Sequence, residues 1–356
     1  MNDVTSVTGV IGGMGNEAMV DLAEKMARVP GHEKLNYVFY GNSRLAYKPH
    51  EVNAAGTDGD ATERRKAATA RHTAAFMRFL GCGLTGLACN SAHELFRTVM
   101  RGSPVRFVDM IEETARSMRG VQGRVLVMGV TSLVESNLYQ DALRALGIEA
   151  VSPSADSQVK TMAAIYDTQF GIKTGQITEE AENLLCAVLA DECQSQDCNH
   201  VILGCTELPL ILTPEGCTRF KREGRIPESL HIVDASSVLA ETLVSTPCPP
   251  PADDAPPVPR PEPETDWFPP ASFRVNSLKE MASVQRAIFK QTADYLSARG
   301  QSVTGSYLHL PTLFLVGDVP AVVERLARAG MPPLSIDEPF TDTVDAMLEK
   351  HFASMA

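Results

Sequence analysis

The chain has 356 residues, 44% hydrophobic and 21% charged, the balance of a soluble globular protein with room for two or three domains. Its formal net charge of −12 argues against a nucleic-acid partner, which needs a broad basic face, but not against a small anionic substrate held by local charge. No apolar run approaches the roughly 18 residues of a membrane helix. Met1-Asn2-Asp3-Val4 does not begin a basic-then-apolar leader, so a cytoplasmic protein is expected, its eight cysteines reduced thiols.

In chain order, Val7 to Ile11 reads as a first strand, followed by the turn Gly12-Gly13-Met14-Gly15 and a helix to about Arg28. Tyr37 to Tyr40 is a second strand, ending in Asn42-Ser43-Arg44. Ala67, Ala70, Ala74, Met77 and Leu80 have helical spacing within 61–81. Leu84 to Ala88 and Arg106 to Val108 are strands, and a helix runs on to about Arg119. Gly120-Val121-Gln122-Gly123 is a boundary, after which the pattern restarts. Arg124 to Met128 is a strand, Leu133 to Leu146 a helix stopped by Gly147, and Ile148 to Val151 a strand. Helices follow near 157–168 and 178–192, then strands at His200 to Leu203 and Leu230 to Val233, and a helix near 236–244.

Strands alternating with helices imply parallel sheets with right-handed crossovers, here in two successive runs. The fold expected is α/β: two similar Rossmann-like lobes, 1–119 and 120–234, with the site between them. Residues 247–263 hold nine prolines and read as an extended tether, within a linker block at 247–275. A small α/β unit is expected over 276–356, with a capping box at Ser277 and Glu280, a strand at Leu313 to Val316, and helices at Val319 to Ala329 and Thr341 to Phe352. With about 80 residues its core is thin, so docking on the rest of the chain is one expectation.

Chemistry concentrates in two stretches with the same grammar. Gly86-Leu87-Ala88-Cys89-Asn90-Ser91-Ala92-His93 and Val201-Ile202-Leu203-Gly204-Cys205-Thr206-Glu207 each run from an apolar strand to a cysteine, then to a hydroxyl or amide residue. Open α/β sheets bind ligands at such strand ends, where helix N-terminal N–H groups lower a thiol pKa. One such cysteine would be an ordinary buried thiol; two in matching settings suggest a facing pair. Inverting a stereocentre beside a carboxylate needs a base on one face and an acid on the other, and a thiolate and a thiol supply both. The other six cysteines lack this setting and read as structural.

Gly12-Gly13-Met14-Gly15, Ala88-Cys89-Asn90-Ser91-Ala92-His93 and Gly204-Cys205-Thr206-Glu207-Leu208 resemble, in order and spacing, the three signatures of the aspartate/glutamate racemases that work without pyridoxal phosphate. The resemblance spans about residues 5–246. It implies two lobes related by pseudo-two-fold symmetry, a last helix (235–246) returning to the first lobe, no cofactor, and a homodimer. It also implies that Cys89 and Cys205 are the acid/base pair on a small amino-acid substrate, aspartate before glutamate. Asn90, Ser91, Thr131 and Thr206 then serve the α-carboxylate and Met14 lines the pocket. Lys173, in Gly171-Ile172-Lys173-Thr174-Gly175, serves the distal carboxylate together with Lys48, which stands where relatives tend to have arginine. Leu133 stands where relatives usually have threonine, a second departure that bears on substrate choice.

His93 either raises the local positive potential or is structural; the sequence leaves both open. Gly13-x-Gly15-x-x-Ala18 loosely fits a dinucleotide fingerprint, but the acidic residue expected after the second strand is missing. Cys193, Cys198 and His200 lack both zinc spacing and a fourth ligand. The competing functions are a hydantoin racemase, a maleate isomerase or an arylmalonate decarboxylase on the same fold, and a non-catalytic ligand- or partner-binding protein whose C-terminal unit is the output.

Overall fold

The structure, a computed structural model, describes residues 6–45, 59–251, 257–300, 310–336 and 340–353. The chain forms two compact units. One comprises residues up to 88, 95–108 and 240 onward; the other comprises 89–94 and 109–239. Among the described residues no helix is long and apolar enough to cross a membrane.

The first unit is built on β1 (Val7–Gly12), α1 (Asn16–Met26), β2 (Asn36–Gly41), α2 (Gly59–Phe79), β3 (Cys82–Leu87), α3 (His93–Met100, from Leu95 on) and β4 (Arg106–Val108). All six residues of β1 and of β3 are buried, as central strands covered on both faces must be. β1 lies between β2 and β3, all parallel, and β4 adds to β3.

The second unit repeats this order. After α4 (Met110–Ser117), it has β5 (Arg124–Met128), α5 (Thr131–Ser136), α6 (Leu138–Arg144), β6 (Glu149–Val151), α7 (Ala155–Tyr166), α8 (Glu179–Ser195), β7 (Cys198–Leu203), α9 (Pro214–Arg222), β8 (His231–Asp234) and the start of α10 (Ala235–Ser245), whose residues from Ala240 on belong to the first unit. Its parallel sheet runs β6-β5-β7-β8, matching β2-β1-β3-β4. The repetition reaches single hydrogen bonds: Ala88 N–H donates to Ile11 C=O at 2.8 Å, and Gly204 N–H to Met128 C=O at 2.7 Å. Both bonds fix the residue just before a motif cysteine.

The single helix expected over 133–146 is two. Asn137 breaks it with φ of 57°, a left-handed conformation that asparagine tolerates better than most side chains.

The C-terminal stretch does not stand apart on a tether. It folds as β9 (Ala271–Val275), α11 (Leu278–Ser297), β10 (Thr312–Val316), α12 (Pro320–Arg328), β11 (Leu334–Ser335) and α13 (Phe340–Ala353). β10 pairs antiparallel with β2, from Thr312 opposite Gly41 to Val316 opposite Tyr37, so the first sheet has seven strands, β11-β9-β10-β2-β1-β3-β4. α11 closes on α1, where Val20, Ala282 and Phe289 form a buried cluster flanked by an Arg286–Glu24 ion pair of 2.7 Å. Ser277 caps α11 as expected, with Glu280 N–H donating to Ser277 Oγ, while Glu280 Oε2 accepts the Asn276 N–H one residue earlier.

The described part of the proline-rich segment lies along α2. Arg71 forks onto Glu262, Arg64 pairs with Glu264, His72 Nε2 donates to Pro259 C=O, and Trp267 packs on the His72 ring. Its composition denies it a core of its own; charge and one aromatic side chain fasten it to a helix that has one.

Candidate active site

Cys89 sits two residues past the end of β3, half-buried. Its Sγ lies 3.6 Å from Ser91 Oγ and receives the Ala92 backbone N–H. Burial still pushes the thiol above its ordinary value, against Ser91, Ala92 and the Lys173 charge. Asn90 is buried, its Oδ1 accepting the Tyr139 hydroxyl at 2.6 Å and its Nδ2 without a protein partner.

His93 fastens this turn from behind. The Met110 N–H donates to His93 Nε2 at 3.1 Å, so that nitrogen carries no proton, and Nδ1–H donates to Cys89 C=O at 2.7 Å. The ring is held neutral, the structural one of the two roles the sequence left open.

Cys205 sits in the equivalent place past β7, and is buried. Its Sγ donates to Glu207 Oε2 at 2.9 Å, and Thr206 Oγ1 donates to the same oxygen at 3.3 Å. Lys173 Nζ binds the other oxygen of Glu207 and lies 5.5 Å from the Tyr166 ring centre. Burial would raise the Glu207 pKa, but the Lys173 ammonium and the Cys205 and Lys173 donors hold it below the usual carboxylate range. Burial opposes the Lys173 charge, and Glu207, Tyr166 and Cys205 outweigh it, so its pKa is raised. Cys205 is pushed well above the thiol value by burial first and the Glu207 charge second. The expectation of lowered thiol pKa values therefore fails. A single backbone N–H at each sulfur does not offset desolvation.

Thr131 lies in the same unit: its Oγ1 accepts Gln158 Nε2 at 3.2 Å and its N–H meets Met162 Sδ at 3.4 Å. Leu133 packs under the two strand ends; a Cβ on Gly129 or Gly204 would fall 2.8 or 2.7 Å from its Cδ2. The leucine thus fills space that the two glycines leave open. Met14, half-buried, belongs to the other unit, on the turn after β1. Gly13 on that turn has φ of 95°, and a Cβ there would lie 2.5 Å from the Asn42 backbone. Lys48 lies outside the described residues. Arg44, near it in sequence, is paired at 3.4 Å with Asp266 of the C-terminal segment. Among the described residues no three His, Cys, Asp or Glu side chains are grouped to hold a metal, so Cys193, Cys198 and His200 make no such site.

The profile of the Asp/Glu/Hydantoin racemase family matches residues 9–223, three fifths of the chain. The chain belongs to that family. It is similar to the broad specificity amino-acid racemase RacX of Bacillus subtilis (strain 168), with 25% identity over 166 residues. That match takes in 47% of this chain and 65% of RacX, short of two thirds of the relative's length. An uncharacterized protein in the pnlA 3' region of Pectobacterium carotovorum subsp. carotovorum is 30% identical over 150 residues, 42% of this chain and 90% of that protein. In fold, an aspartate racemase homologue from Pyrococcus horikoshii OT3 superposes with a TM-score of 0.50 at 21% identity, covering 67% of this chain and 98% of its own. The family match ends before α10, so β9, β10 and β11, the strands that extend the first sheet, lie outside it.

Two residues of this racemase-family site were not assigned from sequence. Glu207 stands inside a quoted motif, and an acid two residues past a strand-end cysteine was the available signal. Tyr139 carried none: it lies on α6, 49 positions from the asparagine it binds.

Proposed function

We propose that the protein is a cofactor-independent amino-acid racemase with Cys89 and Cys205 as its acid/base pair. The observation that carries this reading is that each family cysteine stands at the same point of a repeated strand-end turn and feels the charges of one part-buried Lys173–Glu207 ion pair, Cys205 through a hydrogen bond to Glu207. Cys205, donating to Glu207, is the resting acid. Cys89, supported by Ser91, the Ala92 N–H and Lys173, is the thiol that ionises. As thiolate it takes the α-proton, and the C–H electron pair moves into the carboxylate. The Ser91 hydroxyl stabilises the charge that gathers there, and the Asn90 Nδ2 donor holds the carboxylate in place throughout. Cys205 then delivers its proton to the opposite face, which inverts the centre and leaves the roles exchanged for the reverse turnover. Thr206 and Thr131 belong to this reading as lining residues of the carboxylate end; for Met14 and Lys48 the reading keeps the pocket-lining and distal-carboxylate roles that the sequence resemblance implies.

Aspartate is the proposed substrate, with glutamate next. Lys173 Nζ has donors left after binding Glu207 and takes the distal carboxylate through them. A second reading is favoured by that same pair. Glu207 already neutralises Lys173, so side chains without a carboxylate meet no unpaired cation at this point, in keeping with the broad-specificity relative. A homodimer is part of the proposal and is checked by sedimentation.

The test is incubation with L-aspartate, L-glutamate and a panel of neutral amino acids in heavy water, without added cofactor. Deuterium appearing at the α-carbon with loss of optical rotation is the expected result. No exchange from any amino acid sinks the racemase reading; exchange from neutral amino acids at rates equal to aspartate selects the second reading of substrate.

A further inference from the structure

We infer, resting on the racemase reading, that Tyr139 is a positioning residue: it locks the Asn90 amide so that its N–H₂ faces the substrate's carboxylate, and it spaces the two cysteine turns. Three observations converge. The phenol is fully buried and its hydroxyl lies 2.6 Å from Asn90 Oδ1, on the residue after Cys89. Asn90 is itself 97% buried, yet its Nδ2 has no protein partner. A buried amide donor left open is costly, and an arriving acceptor removes that cost. Finally, the edge of the same ring lies 3.3 Å from where a Cβ of Gly204 would stand, on the residue before Cys205. One aromatic side chain therefore touches both turns, and Gly204 is what lets it approach.

The amide has two orientations related by a half-turn. With the hydroxyl donating to Oδ1, a donor is left facing the ligand, and it suits a carboxylate. The reverse orientation would make Tyr139 an acceptor and present Oδ1, which suits the substrate's ammonium instead. Removing the hydroxyl frees the amide to sample both.

The experiment is steady-state kinetics on the full chain with Tyr139→Phe, Asn90→Ala, Asn90→Asp and the Tyr139→Phe/Asn90→Ala double variant. Tyr139→Phe keeps the ring, so the packing on Gly204 is retained. It is expected to raise KM about tenfold with kcat changed less than about threefold, the effect of one weakened charge-assisted hydrogen bond. The double variant is expected to be no worse than Asn90→Ala, because the hydroxyl acts through the amide. Asn90→Asp, which opposes one carboxylate with another, is expected to lose substrate binding. Unchanged KM in Tyr139→Phe, additive effects in the double variant, or an Asn90→Asp enzyme that binds as well as the parent would each overturn the inference. Calorimetric titration of the same variants with succinate reads the carboxylate contact separately. If the parent protein binds succinate but exchanges no α-hydrogen, the racemase reading fails while the inference survives. If Tyr139→Phe binds succinate as the parent does, the inference fails alone.

Discussion

Ending the chain at Thr246 removes every residue beyond the family fold, and a tethered C-terminal unit would let the rest survive this intact. The structure leads to the opposite expectation. The deletion strips β10 from β2 along five residue pairs, leaving the backbone of Tyr37–Gly41 as an open edge. It uncovers Val20, packed in a buried cluster with Ala282 and Phe289, and removes the cross-strand partners Leu315 and Phe314 from Val38 and Phe39. Tyr40 loses Leu313, its partner across the ladder. Fully exposing a side chain of this size costs about 1.5–3 kcal/mol, so one such loss and three partial ones sum to about 5 kcal/mol. The ion pairs along α2 add little, being exposed. Against a stability of about 5–15 kcal/mol for the whole, this loss is severe. It predicts a fall in Tm of about 10–20 °C, or an insoluble product. Thermal melts followed by circular dichroism, with light scattering for aggregation, measure it. A soluble, monodisperse truncated protein melting within a few degrees of the full chain would refute the account of β10 as an integral strand.

Four further outcomes follow from the geometry. Cys89→Ser and Cys205→Ser should each abolish racemisation, one of them still exchanging the α-hydrogen of a single enantiomer; racemisation by either at the parent rate would remove the two-thiol mechanism. Because burial raises the Cys89 thiol, the thiolate fraction grows with pH, so kcat/KM should climb through pH 7 to 9 rather than level off near neutrality, as a rate profile will show. Glu207→Gln keeps the shape but leaves Lys173 without its counter-charge, and should lower kcat at least tenfold while shifting that profile toward lower pH; an unmoved profile would disconnect the Glu207 charge from the Cys89 ionisation. His93→Gln should destabilise the protein by about 1–3 kcal/mol in denaturant melts, since it breaks the tie between Met110 N–H and Cys89 C=O, and should leave the pH profile alone because the ring carries no charge.

The parts legible in the sequence are those with a local cause. The short apolar runs at Val7–Ile11, Leu84–Ala88 and His200–Leu203 announce buried strands, and Cys89 and Cys205 follow two of those strand ends accordingly. The Ser277 cap is likewise set by residues three apart. What could not be read depends on residues far apart in the chain. The thiol pKa direction reverses because burial outweighs one N–H, and burial belongs to the whole fold. Lys173 looked like a free cation until Glu207, 34 positions on, proved to hold it. The Pro-rich segment has the composition of a tether, but its Glu262, Glu264 and Asp266 meet Arg71, Arg64 and Arg44, an alignment no local pattern encodes.

The two sheets show why only one of them carries an extension. Both have the strand order that leaves the second strand of the repeat, β2 or β6, at an edge. β6 is three residues long, none of them buried, and opens with Glu149, which pairs with Arg124 of β5 at 2.8 Å. A short, charged edge of this kind needs no cover. β2 is six residues long, and Tyr37, Val38, Phe39 and Tyr40 are all buried. Left bare, that apolar strand would be a template for pairing with other chains. β10 has the matching character, Thr-Leu-Phe-Leu-Val, and runs antiparallel to it; β9 and β11 then move the edge outward, to a two-residue strand ending in the exposed Ser335. In this light the C-terminal segment completes the first sheet: its sequence answers a liability written into β2, and it need carry no chemistry of its own for its removal to be costly.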